Sequence, residues 1–294
     1  MSHSFRELNY QGSFSFEQGG SMQSLRIAHA VIDGEEYERL QYMDGDKREI
    51  IRRGHALNCV HPGHHLLRFY EQQQNLRFSP VNEAGIGEFY QFVLAGQGRV
   101  AGRDVDNLLI SPKDSHRFGY RLSLDKESGL LLRTELIGRN NEVLERFQFA
   151  DIIIGEPLDK AFFDGAEYSY HAEHIAPTED KPVQIVAERS WQLKWLPRGF
   201  TPVVANRKVL NDDMATFTDG LTVFSVFLER NVDAQSLARG AEGSAQKGAT
   251  TAYTRALLLA NHPHRVTVVG EIPARTAQLI AQSVQLVEAE SPEQ

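Results

Sequence analysis

The densest group of reactive side chains is His55, Cys59, His61, His64 and His65, four of the eleven histidines together with the one cysteine inside eleven residues. On an extended strand the odd positions share a face, about 6.6 Å for each step of two residues, so His55, Cys59 and His61 could approach one metal ion. The spacing fits none of the usual zinc patterns, no carboxylate stands nearby in sequence, and Pro62-Gly63 reads as an exposed turn. A strand end with a buried thiol is the favoured reading, and no metal is expected. Leu57 and Val60 bracket Cys59, which suits a packed, inert thiol better than a thiolate nucleophile. No Gly-x-Ser-x-Gly elbow and no His-Glu-x-x-His stretch occurs. The glycine-rich stretch at 240–248 lacks a Gly-Lys-Ser/Thr ending and reads as a flexible loop. Neither a catalytic residue nor a cofactor is expected.

Two further groups could bind rather than react. Arg48, Arg52 and Arg53, with Arg39, could set positive charge along adjacent strands, suited to a carboxylate or phosphate on a partner. Cross-strand pairing with Glu38 and Glu49 is the alternative, and the favoured one. The second group is apolar: Phe14, Phe16, Leu25, Ile27, Tyr120, Leu122, Leu124, Phe147 and Phe149 recur at every second position. Turned inward on a curled sheet they form either a plain core or a pocket for an acyl chain, and the pattern alone favours core.

These side chains need strands to position them. Phe14 and Phe16 alternate with Ser13 and Ser15, Leu25 and Ile27 with Arg26 and Ala28, while Asp33-Gly34 and Asp44-Gly45 supply hairpin turns. The rhythm returns from 91 to 154, and eight to ten antiparallel strands are expected before residue 155. So long a meander curls toward a barrel, closed or half-closed. A loop with a short helix is expected over 66–88 and another helix over 157–167, opened by Pro157 in the first turn. A linker over 176–186 separates residues 1–175 from a second domain over 187–290. There, strands are predicted at 192–195, 201–208, 221–228, 249–258 and 265–269. A helix begins at Pro273, with Ala277, Ile280, Ala281 and Val284 on one face.

Composition agrees with two soluble domains. The 294 residues are 41% hydrophobic and 24% charged, which excludes collagen, coiled coil and wholesale disorder. The net charge of −8 argues against nucleic acid as a partner. Its whole excess falls in residues 1–186, since residues 187–294 hold 11 acidic and 11 basic side chains. No signal peptide is visible, as in an exported chain shown in its mature form.

Longer phrases carry a likeness. Leu40-Gln41-Tyr42-Met43-Asp44-Gly45, Arg48-Glu49-Ile50-Ile51-Arg52-Arg53-Gly54, Arg99-Val100-Ala101-Gly102-Arg103, His116-Arg117-Phe118-Gly119-Tyr120 and Leu144-Glu145-Arg146-Phe147-Gln148-Phe149 resemble the RseB/MucB family of periplasmic regulators. Trp195-Leu196-Pro197-Arg198-Gly199-Phe200, Asp219-Gly220-Leu221 and the run from Val266 to Pro273 extend the resemblance over nearly the whole chain. It implies a mainly β protein with some α: an unclosed antiparallel barrel like those of the carriers LolA and LolB, then a smaller α+β domain. It further implies a negative regulator of an envelope-stress sigma factor, located in the periplasm. Such a protein binds the periplasmic segment of a membrane anti-sigma factor of the MucA/RseA type, shields it from site-1 proteolysis, and is released by lipid or lipopolysaccharide. The resemblance tips the apolar interior toward a lipid pocket and leaves room for a homodimer. A periplasmic lipid or lipoprotein carrier is the alternative.

Overall fold

The computed structural model describes residues 7–53, 85–165, 169–173, 190–203, 214–230 and 242–287. Cys59, its neighbouring histidines and the 176–186 stretch lie outside the described residues. The chain divides into two compact units that are not simple halves. Residues 91–111 and 119–173 join the first strands in one unit, whereas 85–90 and 112–118 belong with residue 190 onward in the other.

The first unit is a ten-stranded sheet. It comprises β1 (Tyr10–Gln18), β2 (Ser21–Ile32), β3 (Glu35–Tyr42), β4 (Arg48–Arg53), β5 (Tyr90–Val100), β6 (Arg103–Pro112), β7 (Gly119–Asp125), β8 (Leu131–Ile137), β9 (Val143–Ile154) and β10 (Ser169–Glu173). The spatial order is β10-β4-β3-β2-β1-β9-β8-β7-β6-β5, open at both ends, so the barrel is unclosed. Strand β10 runs parallel to β4, a pairing that no hairpin signal announces. Asp33 and Gly34 take φ values of 55° and 80°, the pair of positive angles that a tight two-residue hairpin needs. Register shifts at Ser13/Phe14, Ser123/Leu124 and Leu136/Ile137 mark bulges, which bend strands and add twist.

Alternation divides this sheet into two faces. On the inner face Phe14, Phe147 and Phe149 pack with ring centroids 4.9–5.8 Å apart, edge-on or tilted as aromatic quadrupoles prefer. On the outer face Ala28, Ala30 and Tyr37 are covered by Phe163, which is fully buried. Phe163 comes from a turn of 3-10 helix, Lys160–Phe163, where a longer helix was expected. Asp159 accepts from the Ala161 amide at its start, and Gly165, at φ 77°, turns the chain away soon after its end.

The second unit holds a six-stranded sheet and a short two-stranded one. The larger is ordered β12 (Thr201–Pro202), β13 (Met214–Thr218), β14 (Val223–Arg230), β17 (His262–Gly270), β16 (Thr250–Leu259), β15 (Glu242–Lys247). Strands β11 (Trp191–Leu193) and β18 (Val284–Leu286) form the other. Helix α1 (Ala274–Gln282) follows Pro273 as its spacing predicts, burying Thr276, Ala277, Ile280 and Ala281, but it ends before Val284, which opens β18 instead. The 240–248 stretch corrects the flexible-loop expectation, because 242–247 form the edge strand β15, paired with β16. All six of its residues are exposed, so no apolar alternation betrays it.

The three-phenylalanine cluster should dominate the stability of the first unit. Phe149→Ala removes a side chain that is 1% exposed and is expected to cost about 3–5 kcal/mol. The check is a lowered urea midpoint at an unchanged m-value.

Candidate binding faces and a buried arginine centre

Register turns the inner face of the first unit into rows. Tyr10, His29, Glu38 and Arg52 lie opposite one another across β1 to β4. Gly12, Ile27, Leu40 and Ile50 form the next row, and Phe14, Leu25, Tyr42 and Arg48 the one after. An apolar field is thus bounded by a charged row at one side and by Arg48 at a corner of the other.

The nine apolar positions singled out in the sequence divide as follows. Phe14, Leu25, Ile27, Phe147 and Phe149 are buried in one cluster, with Phe16 partly buried against it. Leu122, 2% exposed, pairs with Thr134, which pairs with Phe147, so register puts Leu122 on the same face. Tyr120 is buried outside that cluster. Leu124 follows the β7 bulge and is only half-buried, while its expected outward neighbour Ser123 is buried. The bulge shifts the phase of the alternation there.

The charged row is knitted together by side chains that are all buried. Arg52 donates to Glu36 at 2.8 Å and to Glu38 at 3.3 Å. His29, 1% exposed, sets one ring nitrogen 3.1 Å from Glu36 and the other 2.9 Å from the Leu8 carbonyl oxygen, and its ring stacks on Tyr10 at 4.9 Å. Burial alone would raise the Glu36 pKa, but the hydrogen bond to His29 and the Arg52 charge outweigh it and hold the carboxyl below its ordinary range. Burial, with the Glu38 charge beside it, pushes the Tyr10 hydroxyl well above its ordinary value.

The arginines do not form a single positive patch. Arg39 lies on the outer face, paired with Glu49 at 2.9 Å. Arg48 stacks its guanidinium 3.6 Å from the Tyr42 ring centroid, and Arg52 belongs to the buried network. Cross-strand pairing is therefore what the geometry presents. Among the described residues no group of three or more His, Cys, Asp or Glu could hold a metal ion.

The second unit contains a centre that no spacing rule suggested. Arg117 has no exposed side-chain surface, and its Nε lies 2.5 Å from Asp219 Oδ2. Its other nitrogens donate to Asp114 and to the Arg198 carbonyl oxygen. The guanidinium sits between the rings of Phe89 and Phe200, 4.9 Å and 4.7 Å from their centroids. Tyr90 donates to Asp219 at 3.0 Å, and the Leu221 and Thr222 amides donate to the same carboxylate. Gly199, at φ 88°, lets Phe89 close in, since a Cβ there would stand 2.4 Å from the Phe89 ring. The sequence signal is indirect: Arg117, Arg198 and Asp219 each stand in a phrase that resembles the RseB/MucB family.

An open, mainly antiparallel sheet with an apolar inner field, followed by a small α+β unit that holds a buried ion pair, defines a two-unit β-rich binding protein. The chain belongs to the MucB/RseB family: the N-terminal domain description matches residues 1–166 and the C-terminal domain description residues 186–285. It is 32% identical to the sigma factor AlgU regulatory protein MucB of Pseudomonas aeruginosa, over 95% of this chain and 86% of that protein. It is 28% identical to the sigma-E factor regulatory protein RseB of Haemophilus influenzae, over 97% and 88%. A solved MucA/MucB complex of Pseudomonas aeruginosa contains a chain 29% identical, with a TM-score of 0.73 and coverage of 98% of this chain and 96% of that one.

Two outcomes follow. Arg117→Ala takes the cation away from the buried Asp219 carboxylate and should cost about 3–5 kcal/mol, and an Arg117→Met, Asp219→Leu pair should not recover it, because the Tyr90 hydroxyl and the Leu221 and Thr222 amides then lose their acceptor. Both are read from chemical denaturation. Glu36, with its pKa depressed by folding, contributes stability that is present above the ordinary carboxylate range and fades as pH falls through the depressed value. Glu36→Gln should therefore lower stability at neutral pH and flatten the acid limb of a stability-against-pH curve.

Proposed function

We propose that this protein is a periplasmic negative regulator of an envelope-stress sigma factor. In this reading it binds the periplasmic segment of a membrane-spanning anti-sigma factor, keeps site-1 protease from it, and lets go when an amphiphile occupies the first unit. The observation that carries the reading is likeness along both units to MucB, a protein crystallised in complex with the periplasmic part of MucA. A match confined to the first unit would fit a lipid carrier as well; a second unit matched at 186–285 favours a polypeptide partner. The relatives are named as regulatory proteins rather than enzymes, and a binding role without catalysis is the consistent assignment.

The inner face supports the amphiphile. Apolar side chains on β1, β2 and β9 form a buried cluster beside a charged row containing Arg52, so an acyl chain that parted the cluster would find apolar contacts with polar groups at their edge. Ligand could weaken the partner's hold only by binding the released state more tightly than the holding state. Residues 1–175 would then carry lipid sensing and 187–290 most of the anti-sigma contact.

Full-length protein incubated with the periplasmic segment of its cognate anti-sigma factor should retain that segment on affinity resin and slow its cleavage by site-1 protease. Added lipopolysaccharide or fatty acid should restore cleavage. Fatty-acid binding without any segment binding would support the carrier reading instead, and unprotected cleavage despite segment binding would remove the shielding role.

A further inference from the structure

The outer face of the first unit carries a cavity of about 290 Å³ that neither the apolar field nor the partner reading uses. Its polar wall is Gln11, Arg26, Arg39, Gln41 and Asp151, and Phe162 closes one side. Register explains the hollow. Arg39, Ala28, Gln11 and Ile153 form one row across β3, β2, β1 and β9, and Gln41, Arg26, Ser13 and Asp151 form the next. Long side chains ring the site while the short side chain of Ala28 leaves its middle empty.

The charges are laid out unevenly. Arg39 is fixed, its Nε and Nη2 on Glu49 and its Nη1 on the Phe162 carbonyl oxygen at 2.9 Å, which still leaves N–H directions for an anion. Glu49 neutralises it. What remains is the Arg26 cation on β2 and the Asp151 anion on β9, both exposed and separated by two strand spacings, about 10 Å between backbones. A simple anion would meet Asp151 as a repulsive neighbour, and a simple cation would meet the Arg26 guanidinium. A ligand with both charges on separate ends meets neither penalty. A phosphate ester of a two-carbon amine holds its charges further apart than an α-amino acid does, which suits charged side chains that stand two strands apart.

We propose that this cavity binds a phosphoethanolamine group, with its phosphate between Arg26 and Arg39 and its ammonium at Asp151. The group could arrive as the free phosphate ester or as the head group of a lipid whose chains stay outside, since the cavity opens to solvent. This site is separate from the inner field and does not rest on the anti-sigma reading.

The test titrates O-phosphoethanolamine, inorganic phosphate and ethanolamine into isotope-labelled full-length protein, following the backbone amides of Gln11, Ala28 and Asp151. Saturable shifts are expected with O-phosphoethanolamine, and inorganic phosphate should bind about tenfold more weakly, as loss of one charge-assisted hydrogen bond implies. Arg26→Gln should weaken both phosphates, while Asp151→Asn should erase the preference between them and let inorganic phosphate bind at least as tightly as before, since the repulsive carboxylate is gone. Both positions are exposed, so the variants should keep the fold, checked by circular dichroism. In a parallel arm, flotation with phosphatidylethanolamine vesicles but not phosphatidylcholine vesicles would assign the lipid source, and shifts with the soluble ester alone would assign the free one. Equal affinity for the two phosphates, or neither saturable shifts nor head-group-dependent flotation, would overturn the proposal.

Discussion

Side-chain alternation with a period of two is the constraint on which the first unit depends, because each strand must give one set of residues to each face. From it follow the phenylalanine cluster inside, the Ala28, Ala30 and Tyr37 patch outside, and the division of Arg39 from Arg48 and Arg52. A shift of one residue in β3 would send Arg39 inward and Leu40 to the solvent. The charged row of His29, Glu38 and Arg52 with Glu36 is tolerable on the inner face because each member has a partner close by. Pairing thus permits polarity where alternation has already excluded water.

Much of that face could be read directly from residue types. Phe14 and Phe16 between serines, and Leu25 and Ile27 between Arg26 and Ala28, signal strands with a buried side, and Asp33-Gly34 marks the turn between β2 and β3. Legibility fails where the alternation is interrupted. The bulge before Leu124 reverses the expected burial of Ser123 and Leu124, and a bulge has no residue signature of its own. Strand β15, with the sequence Glu-Gly-Ser-Ala-Gln-Lys, lacks an apolar face altogether and is held by backbone pairing at the rim of its sheet. Among the arginines, the composition announced positive charge, but only register tells which carboxylate each one meets.

The Arg117 centre was illegible for a different reason. Its members, Phe89, Asp114, Arg117, Phe200 and Asp219, lie up to 130 positions apart and follow no local period. Burial of a guanidinium becomes favourable only when two carboxylates, a carbonyl oxygen and two aromatic faces converge on it, and that convergence is a property of tertiary structure. Taken alone, the His116-Arg117-Phe118 run looks like an ordinary amphipathic fragment.

The way the backbone passes between the units has a consequence for any attempt to exchange parts between relatives. At 90/91, 111/112 and 118/119 the chain changes from one compact unit to the other. The C-terminal unit is therefore assembled from at least three separate stretches of sequence. A chimera spliced near residue 180 would combine one parent's Phe89, Tyr90, Asp114 and Arg117 with the other parent's Arg198, Phe200 and Asp219. Such hybrids would inherit mismatched halves of a single ionic centre, so the exchangeable cassette in this architecture is discontinuous and must carry the 85–90 and 112–118 segments along with the C-terminal sequence.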